Sequence, residues 1–146
     1  MLFSTATGYA LQTLAALPED GGYYLARSMA KQLHLPGPYL AKILQNLVQA
    51  GILESVRGPK GGFRMARSAQ EVTVGEVVSA LEGSSSLHGC VMGFSDCGPD
   101  NPCPLHSAWS QVKAQMGASM TEVSIQDLRR LNKRSKPLAK RGESGA

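Results

Sequence analysis

Gly51-Ile52-Leu53-Glu54-Ser55-Val56-Arg57-Gly58-Pro59-Lys60-Gly61-Gly62-Phe63 is the stretch on which the fold turns. Two short extended segments, residues 52–57 and 62–65, flank Gly58-Pro59-Lys60-Gly61, whose breakers predict a hairpin loop. Immediately upstream, Leu40, Ile43, Leu44 and Leu47 recur at helical spacing. Pro38 suits the first turn of that helix, where its missing N–H costs nothing, and Gly51 suits a left-handed cap at its end. Before it, His34-Leu35-Pro36-Gly37 predicts a tight connection, with His34 as a local hydrogen-bonding residue. The stripe Leu25, Met29, Leu33 predicts a helix over residues 25–33. A first helix is expected over residues 5–17, with Ala6, Ala10, Leu14 and Leu17 on one face and Pro18 to Gly22 closing it. Helix, turn of about four residues, helix, then a two-stranded hairpin is the order of a winged helix-turn-helix.

Downstream, Thr73 and Glu76 have capping-box spacing, so a fourth helix should begin there and end near Gly83. Ser84-Ser85-Ser86 then opens a loop rich in glycine and proline. Pro104 is expected to open a long helix carrying Leu105, Trp109, Val112, Met116 and Met120, and Ser124 with Asp127 suggests a last short helix. The fold class is therefore mostly α. The chain divides into a winged helix-turn-helix over 1–83, a cysteine-bearing loop over 84–103, a long helix with a short one over 104–132, and a disordered basic tail over 133–146.

Charge sharpens this division. The net charge of +4 hides a block of +6 over residues 27–67, −6 over 68–128 and +6 over 129–146. A basic block beside an acidic one suggests one face built for a polyanion. With the apolar residues of the third helix turned inward, its other face carries Pro38, Tyr39, Lys42, Gln45, Asn46 and Gln49. Amide side chains can pair bidentately with adenine in the major groove, and lysine can reach guanine or phosphate. Arg57 and Lys60 flank the hairpin tip, where a cation can enter a narrow minor groove or meet phosphate. A helical bundle with a solvated polar face would show any one of these features; their combination points to double-stranded DNA.

The chain has three cysteines, Cys90, Cys97 and Cys103, and with His106 they occupy seventeen residues in the pattern C-x6-C-x5-C-x2-H. Nothing reads as a signal peptide, and no stretch approaches the roughly 20 apolar residues of a membrane span. A cytosolic setting is expected, and there an odd number of cysteines argues for metal or redox chemistry over structural disulfides. Cys103 and His106, three apart at the expected helix start, could share a face. Spacing alone leaves an iron–sulfur cluster, a structural zinc on Cys3His and redox-active thiols open. His88 is a substitute ligand. The sequence shows no nucleophile–base constellation, no phosphate-binding glycine loop and no carboxylate cluster beyond Asp96 and Asp100, which suit loop solvation; an enzyme is not expected.

The wing stretch, together with Tyr39-Leu40-Ala41-Lys42-Ile43-Leu44 before it and Val74-Gly75-Glu76-Val77-Val78 after it, resembles the IscR/NsrR family of iron–sulfur winged-helix transcriptional regulators, of the Rrf-two type. The resemblance runs from about residue 2 to residue 128. It implies a homodimeric transcription factor on a pseudo-palindromic operator, with the helix from Pro104 as the dimerisation helix. It also implies an iron–sulfur cluster held by Cys90, Cys97 and Cys103, so that residues 84–103 become a cluster-binding loop. The IscR branch has a histidine where His106 stands, which favours [2Fe–2S] with His106 as fourth ligand; [4Fe–4S] is the other option. The NsrR branch can use an acid near the amino terminus, and this chain has Gly8 beside Tyr9 there. The six-residue first spacing also departs from the commoner five.

Overall fold

The computed structural model describes residues 3–83 and 89–131. The expectations for His88 and for the basic tail from residue 133 lie outside the described residues. The helices are α1 (Thr5–Ala16), α2 (Ala26–Leu33), α3 (Gly37–Gln49), α4 (Val74–Glu82), α5 (His106–Glu122) and α6 (Ile125–Leu131), with strands β1 (Leu53–Val56) and β2 (Gly62–Met65) between α3 and α4. This is the expected order, and the fold is a mostly helical winged helix.

Local chemistry sets the boundaries. Ser4 caps α1 by accepting from the Thr7 N–H at 3.3 Å. His34, not a glycine, takes the left-handed conformation that ends α2 (φ 57°, ψ 44°), and the Leu35 N–H reaches back to the Ala30 carbonyl at 2.7 Å. At the end of α3, Gly51 has φ 76°; its N–H bonds the Val48 carbonyl and the Ile52 N–H bonds that of Leu47, the paired closure of a Schellman motif. Thr73 and Glu76 form the expected capping box at the start of α4.

The hairpin pairs Leu53 with Met65 through Val56 with Gly62, antiparallel. The sheet has a further contributor that the sequence reading did not place: Tyr24 bridges Phe63, exchanging backbone hydrogen bonds of 2.9 and 2.8 Å. Gly62 is required there, because its φ is 137° and a side chain would run into the Tyr24 carbonyl. The core gathers Leu14, Met29, Leu40, Leu44, Leu47, Ile52 and Val77, all essentially inaccessible.

Helix α6 enters this core rather than extending the arm. Ile125 is fully buried, and its N–H bonds the Val72 carbonyl at 2.9 Å. Arg129 reaches the carbonyls of Leu14 and Leu17 at the end of α1 and the Glu19 carboxylate at 3.0 Å. A cation at a helix C-terminus opposes the partial negative charge there. The chain thus leaves the winged module at α4 and returns to it at α6, with the cysteine segment and α5 as the excursion.

The expectation that Pro104 opens α5 is corrected. The helix starts at His106, and Leu105 stands before it at φ −101°, ψ 2°. Pro104 and Leu105 instead form a turn in which the His106 N–H donates to the Cys103 carbonyl at 3.0 Å. Cys103 and His106 are adjacent through that turn, not along a helical face. The apolar stripe of α5 also divides. Met120 is buried with Val74 and Val78 of α4 and Met116 packs beside it, whereas Val112 stays 46% exposed.

Candidate metal centre and nucleic-acid interface

Helix α3 presents its two faces as the pattern requires. Leu40, Ile43, Leu44 and Leu47 are buried, while Pro38, Tyr39, Lys42, Gln45, Asn46 and Gln49 are exposed. The Tyr39 ring meets Tyr9 of α1 edge-on, with centroids 6.0 Å apart, which braces the start of α3 against α1. Arg57 and Lys60 stand exposed on the loop between the strands, where the Gly61 N–H closes a turn on the Gly58 carbonyl at 2.9 Å.

The basic block is smaller in effect than its count suggests. Of its seven cations, Arg64 is bound to the Glu54 carboxylate and lies 4.5 Å over the Tyr23 ring, and Arg67 pairs with Glu76 at 3.0 Å. Donating to the Glu54 carboxylate holds the Arg64 guanidinium charged and pushes its pKa up. Arg27, Lys31, Lys42, Arg57 and Lys60 remain exposed and outside any ion pair among the described residues. The sequence reading did not single out Arg27 and Lys31. Their i, i+4 spacing on α2, the helix that packs on α3, was the available signal.

The second site gathers the chain's cysteines. The three Sγ atoms of Cys90, Cys97 and Cys103 lie within 4.8 Å of one another. Cys90 Sγ is 3.6 Å from Cys103 Sγ, and Cys97 Sγ is 3.4 Å from His106 Nδ1. Backbone geometry produces the convergence. The Cys103 N–H points at Cys97 Sγ at 3.4 Å, the Gly93 N–H turns back onto the Cys90 carbonyl at 3.0 Å, and the Cys97 N–H onto that of Phe94. All three cysteines are partly buried. They share a small cavity of about 20 Å³ with His106, Trp109 and Lys113.

The thiols are not equivalent. Desolvation pushes Cys90 up, but hydrogen bonds from the backbone N–H groups of Phe94 and Met92, and from the neighbouring thiols, bring it down to about 7. Desolvation pushes Cys103 up, Cys97 and Cys90 add to the rise, and the Leu105 backbone opposes it. Cys90 is therefore poised as a thiolate near neutral pH beside a less acidic Cys103.

Three sulfurs and an imidazole nitrogen form a donor set for zinc or for an iron–sulfur centre. With metal–sulfur bonds of about 2.3 Å, two thiolates on one tetrahedral metal stand about 3.8 Å apart. The Cys90–Cys103 separation meets that span, and Cys97 with His106 makes a second close pair. The residues fit a metal centre: the three thiols lie close enough to share a metal, and His106 stands beside Cys97 as a fourth donor.

Comparison with known proteins identifies the chain's family and fold. The model of the Rrf2 family, described as iron-dependent transcriptional regulators, matches residues 3–130. A helix-turn-helix-type transcriptional regulator of Aquifex aeolicus is 30% identical over 131 residues, covering 88% of this chain and 91% of that one. The transcriptional regulator IscR of Photobacterium profundum is 28% identical over 123 residues, 84% of this chain and 70% of its own. Among solved structures, IscR of T. potens superposes with a TM-score of 0.69 at 26% identity, covering 95% of this chain and 92% of that one. CymR, the global cysteine regulator of B. subtilis, also reaches 0.69, at 21% identity, over 88% of this chain and 96% of that one; this likeness speaks to the fold.

Proposed function

The chain belongs to the Rrf2 family of transcriptional regulators, and we propose that it is a homodimeric DNA-binding regulator whose affinity for its operator is set by an iron–sulfur centre on Cys90, Cys97, Cys103 and His106. One observation carries the reading: three thiols converge within 4.8 Å, with an imidazole 3.4 Å from one of them, on the segment that joins α4 to α5. A [2Fe–2S] centre is favoured over [4Fe–4S], because histidine can replace cysteine on one iron of such a centre.

On the DNA side, α3 enters the major groove with Gln45, Asn46, Gln49 and Lys42 toward base edges. Pro38 and Tyr39 sit at the helix start near the backbone, and Arg57 and Lys60 on the wing reach the minor groove or phosphate. Arg27 and Lys31 add phosphate contacts from α2. Two copies place two α3 helices in successive major grooves of a pseudo-palindrome. Helix α5 supplies the contact between copies: Val112 is exposed on it, and a cleft of about 870 Å³ beside it is lined by Gly75, Ala80, Ala114 and Gly117.

A bound centre supplies a redox- and ligand-sensitive cross-link between thiolates. The rest is done by the chain. Cys90 anchors the loop after α4, while Cys103 and His106 anchor the start of α5. Holding or releasing these ends changes how α5 leans on α4, where a Gly75 side chain would meet the Met120 carbonyl at 3.3 Å. The angle between the two winged modules follows. Such coupling is reciprocal, so DNA also changes the stability of the centre. The family description as iron-dependent and the IscR relatives support this reading over an enzyme.

The second reading, a structural zinc on the same four donors, is favoured by one observation: the Cys90 and Cys103 sulfurs, 3.6 Å apart, stand at the separation of two thiolates on a single ion. Protein purified without oxygen decides between them. Near-equal iron and acid-labile sulfide with visible absorption supports the cluster; colourless protein with one zinc per chain supports the second reading.

A further inference from the structure

Trp109, the single tryptophan of the chain, belongs neither to the DNA-reading surface nor to the donor set. It sits on α5 three residues after His106, so the two side chains are neighbours on one helix face. Its indole Nε1–H donates to the Gly89 carbonyl at 2.8 Å, and the side chain lines the cavity that the three cysteines share.

The two ends of the cysteine segment are held differently. Cys97, Cys103 and His106 are joined by backbone contacts of 3.4 and 3.0 Å that run directly into α5. Cys90 lies thirteen residues before Cys103. Among the described residues, its neighbourhood reaches α5 through the Gly89 carbonyl, and the donor is Trp109. The Cys90 thiol is held by the Phe94 and Met92 N–H groups of its own loop and by its sulfur neighbours, with Cys103 Sγ at 3.6 Å, and none of these contacts reaches α5.

We propose that Trp109 is the positioning residue for Cys90. Its N–H ties the entry of the loop to α5, and its ring closes the cavity against solvent. Trp109 thereby sets how slowly the metal centre is lost, not whether it assembles. This rests on the proposed metal centre but not on the centre being a cluster.

The test uses the full chain as wild type, Trp109→Phe, which keeps a ring and removes the N–H, and Trp109→Ala, which removes both. Each is loaded without oxygen in two ways, with iron and sulfide and separately with Co(II) alone. The loss of the thiolate–metal absorption is then followed after mixing with excess EDTA. All three proteins should load to the same metal content and keep the same far-ultraviolet circular dichroism. Trp109→Phe should lose metal roughly two- to tenfold faster than wild type, the range for one lost hydrogen bond, and Trp109→Ala faster still. Equal loss rates for wild type and Trp109→Phe, or a Trp109→Phe protein that cannot be loaded, would overturn the inference. If wild type holds Co(II) in a Trp109-dependent manner yet forms no iron–sulfur centre, the inference stands and the cluster reading fails. Wild type that holds neither overturns both.

Discussion

The salt dependence of DNA binding should follow the exposed cations of the winged module, not its total basic count. Among the described residues, five of the seven cations over residues 27–67 are outside ion pairs, and Arg57 and Lys60 are the two on the wing. Each phosphate neutralised on duplex DNA contributes about 0.9 to the slope of log affinity against log salt. Two modules with five contacts each set a ceiling of about 9 for the dimer. The double variant Arg57→Ala/Lys60→Ala removes up to four contacts per dimer and should flatten the slope by about 3.6. Over the fourfold range from about 50 to about 200 mM salt, that shrinks the loss of affinity by roughly 100-fold. Fluorescence anisotropy on a labelled duplex at several KCl concentrations reads this directly. The paired variant Glu54→Gln/Arg64→Gln is the control. Arg64 is already neutralised by Glu54, so removing both should leave the slope within about one contact of wild type. A wing variant with an unchanged slope, or a control that flattens it as much, would refute the assignment of the wing to DNA.

Three further outcomes test the fold and the site. Gly62→Ala should destabilise the protein by at least about 2 kcal/mol in urea unfolding, because φ is 137° and the new methyl meets the Tyr24 carbonyl. In metal-free protein, alkylation of Cys90 by iodoacetamide should rise with pH to half its maximum near pH 7, with Cys103 reacting only at clearly higher pH; peptide mass spectrometry separates the two, and equal profiles would count against the arrangement. Glu82 accepts from Ser4 and from the Thr7 hydroxyl, and these bonds hold its carboxyl below the ordinary range. Its stabilisation is therefore present at neutral pH and lost as pH falls through the folded-state value. Glu82→Gln should be less stable than wild type at pH 7, with the gap closing on acidification, as thermal melts would show.

The DNA-reading half was legible because each of its signals is local. The helical spacing of Leu40, Ile43, Leu44 and Leu47, the glycine at position 51 and the capping pair Thr73–Glu76 each depend on a few neighbouring residues, and each stands as expected. What failed to show was long-range or set by loop geometry. Tyr24 joins the sheet from 39 residues upstream of Phe63, a pairing with no local mark. The charge count over-weighted Arg64 and Arg67 because their acidic partners are met only in three dimensions. Pro104 is permitted at a helix start, but the Cys103–His106 turn takes that position instead, and α5 begins two residues later. The meeting of the three thiols was an expectation from a family resemblance. The turns at Gly93 and Cys97 that help bring them together follow from backbone hydrogen bonds that spacing does not encode.

Control of DNA affinity by the cysteine centre is the core of the proposal. Its most direct test is the dissociation constant for one duplex, enriched from random DNA with the loaded protein, measured for loaded protein, for the same protein stripped of metal, and for Cys97→Ala. Loaded and stripped forms should differ by at least about fivefold, as expected for a coupling of roughly 1 kcal/mol or more, and Cys97→Ala should match the stripped form while keeping its helical circular dichroism. Equal affinities for all three proteins would contradict it.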